Sequence, residues 1–197
     1  MKYNNENKFS FNFAYKNVEL IIYLTIGFVA PLFIGHPQYL VGIVVNAILA
    51  VSAFRKVNTT KAIALALTPS IGAVMHGVLF GSLTKFLIYF LPAIWISNFV
   101  YMAIIRLNNG ERSEKNKHLF TTFIKKISQP SKLGAIASAS IVKSAILFGT
   151  AFVLVSTNIV PKPFLIAMGA IQIITALAGG GVAIGIAHLL NKTKNKS

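Results

Sequence analysis

The sequence predicts an all-α integral membrane protein of six transmembrane helices with both termini cytoplasmic. Three observations carry that expectation. The chain of 197 residues is 55% hydrophobic and only 12% charged, the balance of a lipid-embedded rather than a soluble chain. Apolar stretches recur six times at or near the ~20 residues a bilayer-spanning helix needs. If the chain ends and loops are assigned alternately to two sides, 16 of the 19 Lys and Arg fall on one side. Only Lys85 and Lys162 fall on the other, and Lys143 lies inside a span. An excess of Lys and Arg over short loops marks the cytoplasmic side, and a missed or extra span would scramble the asymmetry.

The elements follow in order. Residues 1–17 are polar at first, then carry Phe9, Phe11, Phe13 and Tyr15. Aromatics beside a span sit at headgroup level, so this piece is expected as an interfacial anchor rather than a strand. The transmembrane domain covers 18–190. Its first span, 18–35, is too long for a signal-peptide core and lacks a small-x-small cleavage site; Pro31 should kink it or end it early. After a turn at 35–38, the second span is short, 39–54, and Arg55, Lys56 and Lys61 flank the next turn. The third span runs from Thr60 to about Phe80, interrupted by Pro69. A turn at 81–85 leads to the fourth span, 86–107, with Pro92 in its first third. Residues 106–131 form a basic cytoplasmic loop in which His118 to Ile127, HLFTTFIKKI, is amphipathic enough to lie on the membrane surface. The fifth span is 132–155, the turn at 156–163 holds two prolines, the sixth span is 164–190, and 191–197 is a basic tail.

The net charge of +15 would suggest nucleic acid in a soluble protein. Here the positive charges sit between apolar segments, so the expected partner is the lipid bilayer and no nucleic acid. The chain has no cysteine and no Asp; its four carboxylates are Glu6, Glu19, Glu111 and Glu114. Metal-dependent diphosphate chemistry wants clustered carboxylates, and the span interiors have none. There is no HExxH, no GxxxxGK[ST], and TPSIG at 68–72 does not fit a nucleophile elbow. No catalytic residue, metal or cofactor is therefore expected, and the chain has no motor of its own.

Lys143 is the residue around which the polar pattern gathers. It lies 11 residues past Lys132, about 16 Å deep at ~1.5 Å per residue. A lysine there costs about 2.5–3.5 kcal/mol on insertion scales, and no carboxylate in a span interior offsets it. A ~6 Å side chain does not easily snorkel from that depth, so Lys143 is a functional candidate. Its complements are a carboxylate, a phosphate or an electron-rich ring. Ser140, Lys143, Ser144 and Leu147 share one helix face. Trp95 and Asn98 share a face near the middle of span four, His76 lies in the outer third of span three, and Gln172 and Thr175 lie near the middle of span six. Lipid satisfies none of these groups, so they should face inward. Each has two readings. His76 is a backbone-bonded packing residue or a ligand contact; Trp95 is core or a stacking platform. Asn98 and Gln172 are interhelical glue or site, and Ser140 bonds its own backbone or a ligand.

Small residues form a second pattern: Ala47, Ala50 and Ala53 in span two, and Gly179 to Gly181, Ala183, Gly185 and Ala187 in span six, with Gly181 and Gly185 four apart. Such spacing lets helices approach closely, either inside the chain or against another membrane subunit.

This layout resembles the substrate-capture (S) subunits of energy-coupling factor transporters. The segments that carry the likeness are TPSIGAVMHGVLFGSLTKFLIYFLPAIWISNFVY (68–101) and GAIQIITALAGGGVAIGIAHLL (169–190), together with six spans, inside termini and a basic inner face. The resemblance implies a substrate-binding membrane subunit of a prokaryotic plasma-membrane importer that is not itself an enzyme. It implies capture of a vitamin-like micronutrient under the loops at 35–38, 81–85 and 156–163; Lys143, Trp95 and Asn98 themselves suit an aromatic or heterocyclic molecule with an anionic or carbonyl group. Lys143, Asn98, Trp95, His76, Gln172 and Ser140 are the ligand-binding candidates. It implies docking onto a transmembrane T subunit that sits on two ATPase subunits. The AxxxA pair that family often carries in its first helix is absent from 18–35, which offers Gly27 and Ala30. Ala47, Ala50, Ala53, Gly181 and Gly185 are then the docking candidates. The competing expectation is a stand-alone carrier or channel acting as an oligomer.

Overall fold

A computed structural model describes residues 3–34, 37–77, 81–108 and 131–194. Within them lie seven α-helices and one 3-10 helix, and no strand. We number the helices α1 (Tyr3–Phe33), α2 (Gln38–Phe54), α3 (Thr59–His76), α4 (Leu91–Asn108), α5 (Lys132–Ser156), α6 (Pro163–Met168) and α7 (Ala170–Lys194); the 3-10 helix is Gly81–Phe90. Among the described residues, three helical stretches are long and apolar enough to cross a membrane: Leu83–Asn108, Lys132–Ser156 and Pro163–Leu190. Asn17–Phe33 and Gln38–Phe54 are shorter apolar helices.

Several boundaries differ from the sequence expectation, each for a local reason. The polar stretch at 1–17 is not separate from the first span: α1 is continuous from Tyr3 and runs through Pro31 to Phe33. A proline three residues from a C-terminus interrupts little ladder beyond it. Pro69 likewise sits inside an unbroken α3. That helix stops at His76 rather than near Phe80 because Gly77 adopts φ +74° and donates its N–H to the Val74 carbonyl, a left-handed glycine cap. Asn58 caps the other end, its Oδ1 accepting from Thr60 N at 2.8 Å. Residues 81–85 do not form a simple turn; the chain winds as a 3-10 helix to Phe90. It becomes α-helical at Leu91–Pro92, where a proline near the helix start lacks an N–H that would be unpaired anyway. The sixth span breaks at Gly169 (φ −100°, ψ −93°), whose carbonyl accepts both the Ile173 N–H at 3.2 Å and the Ser144 hydroxyl at 2.8 Å. A Cβ at Gly169 would lie 2.8 Å from the Leu165 carbonyl and 2.9 Å from the Phe148 ring. The proposed surface helix at 118–127 and most of the loop at 106–131 lie outside the described residues.

Helix directions alternate, and named contacts fix this. At one end, Arg55 after α2 pairs with Glu19 of α1 at 2.7 Å, and Lys61 of α3 bonds Asn17 of α1 at 2.6 Å. Arg106 of α4 donates to the Val57 carbonyl at 2.8 Å, and Lys132 of α5 lies over the Phe54 ring. All the cations just named thus gather at one end, which we call the basic end. Lys85 and Lys162 belong to the opposite end. The closest pairings are α2 on α7, α1 on α3 and α4 on α5.

The bundle buries an apolar core, Leu49, Leu65, Phe90, Ile105, Ile136 and Phe164 among it, and sets polar side chains inside that core: Asn46, Ser52, Ser70, Thr84, Ser97, Asn98, Ser140, Lys143, Ser144 and Thr175. Its outside carries large apolar side chains too, among them Ile21, Phe33, Met75, Ile96, Ile141, Phe152, Ile166, Ile174 and Leu189. Lipid tails welcome such a surface and satisfy none of the buried polar groups, so an apolar exterior around enclosed polar side chains is what a bilayer solvent selects.

Candidate functional site

The centre of the site is Lys143, 3% exposed, in the middle of α5. Its Nζ donates to Asn46 Oδ1 of α2 at 2.5 Å and to Asn98 Oδ1 of α4 at 2.7 Å. The face of Tyr101 lies 5.3 Å from it. Two amide oxygens and an aromatic face are suitable neighbours for an ammonium group that has no carboxylate.

Both asparagines are held in turn. Asn98 Nδ2 donates to the Ala66 carbonyl of α3 at 3.0 Å, and Asn46 Nδ2 donates to Thr175 Oγ1 of α7 at 3.4 Å. Thr175 donates to the Gln172 carbonyl at 3.2 Å, and the Tyr101 hydroxyl to the Ala176 carbonyl at 3.0 Å. Five helices are therefore tied to one buried amine. Because Oδ1 of each amide faces Lys143, each Nδ2 turns away from it.

Above this cluster, toward the end away from the basic one, lies a cavity of about 100 Å³. Asn46, Asn98 and Thr175 form its floor; Gln38, Ser70 and Gln172 add polar groups to walls made by Pro31, Val41, Leu87, Ile94 and Met168. Lys143 is not in the lining: the two asparagines stand between it and the cavity. A close crossing shapes this wall, since a Cβ at Gly42 would touch Thr175 at 3.0 Å.

The sequence candidates distribute unevenly. Lys143 and Asn98 meet directly, and Gln172 joins Asn98 in the cavity lining. Ser140 is buried one turn before Lys143 near Tyr101, although its Oγ makes no hydrogen bond of normal geometry. Trp95 does not line the cavity; its Nε1–H donates to Ser70 Oγ at 2.6 Å, holding the hydroxyl that does. His76 stands apart, its Nδ1 at 2.5 Å from the Leu32 carbonyl, which joins the ends of α1 and α3. Asn46, Ser70 and Tyr101 were not singled out by sequence. Asn46 is a polar residue near the middle of a span, so the rule applied to the other helices also reaches it. Tyr101 carries no such signal, being indistinguishable from core.

The small residues divide. Ala47, Ala50 and Ala53 are buried within the chain, so in this fold they pack α2 internally and present no face to a partner. The close approach of α2 and α7 is made at Gly179, where a Cβ would lie 2.6 Å from the Ile43 carbonyl and 2.7 Å from Ala47 N. Gly181 and Gly185 are exposed, with no atom within 4 Å of a built Cβ.

The fold and site thus define a helical membrane protein with a buried, lysine-centred polar cluster beneath a small cavity. No protein-family model, curated protein or solved structure matches the chain.

Proposed function

We propose that the chain is the substrate-capture subunit of an energy-coupling factor type importer, lying in a prokaryotic plasma membrane with six spans and both termini cytoplasmic. The observation that carries this reading is the cavity at the cation-poor end, floored by amides that a buried lysine holds in place. On the charge rule the basic end is cytoplasmic, so the cavity belongs to the outer half of the membrane, where a captured solute arrives. Its polar groups are amides and hydroxyls, with a cation one layer below, and they suit a small molecule bearing a carbonyl or an anionic group on an aromatic or heterocyclic ring.

Size matters to the mechanism. A cavity of about 150 Å³ holds a benzene ring, and ligand pockets commonly measure about 300–1,000 Å³. The cavity of about 100 Å³ is smaller than either, so a vitamin-sized guest requires one wall to move. The wall suited to this is the one that includes Leu87, because 3-10 windings of such length have poor hydrogen-bond geometry and mark hinges. Energy for uptake then comes from partner subunits, a T subunit and two ATPases. Gly181 and Gly185, facing outward on α7, are the small-residue surface available for docking.

The test is mass spectrometry of small molecules released from the gently purified chain. Two variants accompany it: Lys143→Ala, and Ala73→Leu, which fills the cavity without touching the lysine cluster. A stoichiometric ligand in the wild type that is absent from Ala73→Leu is the expected result. No ligand in any form, together with solute flux in liposomes holding this chain alone, would replace this reading with a stand-alone carrier or channel.

A further inference from the structure

A second cavity, of about 250 Å³, lies at the basic end, where the end of α2, the start of α3 and the end of α4 converge. Val57, Ala62, Phe99, Met102, Ala103 and Leu107 make most of its wall. Of its two lining hydroxyls, Ser52 is already bonded to the Leu49 carbonyl at 2.8 Å and to Met102 Sδ at 3.4 Å, and Thr59 is exposed at the start of α3, so the deeper wall is apolar. At its rim stands Arg106, whose Nη1 donates to the Val57 carbonyl at 2.8 Å.

That bond pins the guanidinium but uses one of its five N–H donors. It is the single hydrogen bond of Arg106 among the described residues, and no described carboxylate reaches it. Glu19, at the same end, is held by Arg55 and by the Tyr23 hydroxyl. The exposed Lys56 immediately precedes Val57 and adds positive charge at the rim. Arg106 lies two residues before the end of α4 at Asn108, about 3 Å along the axis, so it stands in the last turn of its helix.

An apolar cleft and an oriented guanidinium at its mouth make two demands at once. Free phosphate would meet the arginine and leave the cleft wet. A neutral chain would fill the cleft and leave the arginine without a partner. An amphiphile with an anionic head meets both, and basic pockets between helices on the cytoplasmic side are where anionic headgroups are held. We infer that this cleft binds one anionic phospholipid, an acyl chain between α3 and α4 and its phosphate on Arg106.

The test uses the full chain in nanodiscs of equimolar phosphatidylglycerol and phosphatidylcholine, with bound lipid counted by native mass spectrometry. The expected result is one retained phosphatidylglycerol per chain, preferred about fivefold or more over phosphatidylcholine, the factor one arginine supplies near a membrane surface. Arg106→Gln should abolish the preference, and Ala103→Phe, which fills the cleft, should abolish retention of either lipid. Equal retention of the two lipids by the wild type overturns the inference, as does an undiminished preference in Arg106→Gln. Should Arg106→Gln fail to fold, Ala103→Phe decides: retention at the wild-type level means that the cleft holds no lipid and is left for a partner's helix.

Discussion

Replacing Gly179 by alanine should separate α2 from α7 and disturb the lysine cluster from a distance. The added Cβ would lie 2.6 Å from the Ile43 carbonyl, 2.7 Å from Ala47 N and 2.8 Å from Asn46 Cβ. All three are backbone or Cβ atoms and have no rotamer by which to withdraw. Ordinary contact begins near 3.4 Å, so the helices must part by about 0.8 Å at this point. Asn46 moves with its helix, and its 2.5 Å bond to Lys143 lengthens accordingly. Overpacking of this kind costs about 1–3 kcal/mol, and rigid neighbours put it at the upper end. The better helix propensity of alanine returns about 1 kcal/mol. The net loss of about 2 kcal/mol corresponds to a fall in Tm of roughly 4–8 °C for a chain of this size. Gly181→Ala and Gly185→Ala meet no atom within 4 Å; they gain propensity alone and should raise Tm by up to about 2–4 °C. Thermal unfolding in detergent, followed by the fluorescence of the single tryptophan, Trp95, reads all three. A Gly179→Ala protein that melts with the wild type, or three alanine variants that fall together, would refute the packing argument.

Asn98→Leu should destabilise more than Lys143→Met. The first leaves a buried amine short of an acceptor, a bond to a charged group worth about 1.5–3 kcal/mol, and loses the neutral bond to Ala66, worth about 0.5–1.5 kcal/mol, whereas the second removes the costly charge itself; the reverse order of chemical-denaturation midpoints would show that Lys143 is not held as described. Glu19→Gln should loosen α1, which Glu19 ties to Arg55 and to Tyr23. The pair is partly exposed, 29% and 15%, so the loss is about 1 kcal/mol or less, and hydrogen exchange should rise in 17–33 while α4 and α5 stay protected. Lys56 occupies a left-handed conformation, φ +54°, as α2 ends. Lys56→Gly should therefore stabilise by about 1 kcal/mol, and Lys56→Ala, which removes the charge but keeps the Cβ, should give no such gain in Tm.

What the sequence by itself determined are the properties that each segment carries alone. Composition and the length of apolar stretches specify helices in lipid, because a bilayer leaves the backbone no other partner. The charge asymmetry orders the segments into two ends. Of the two prolines read as interruptions, Pro31 stands two residues before its helix ends, whereas Pro69 sits inside an unbroken helix. Lys143 was legible as the centre of a buried polar cluster because its charge is anomalous in its own helix. Tertiary structure decided everything that depends on which faces meet. Consecutive residues of a helix point about 100° apart, so Gly179 and Gly181 look alike in sequence yet one is crushed against α2 and the other faces outward. The same geometry turned Ala47, Ala50 and Ala53 inward. It also interposed Asn46 and Asn98 between Lys143 and the cavity. A lone lysine reads from sequence as a ligand contact; packing makes it the group that orients the amides a ligand would touch.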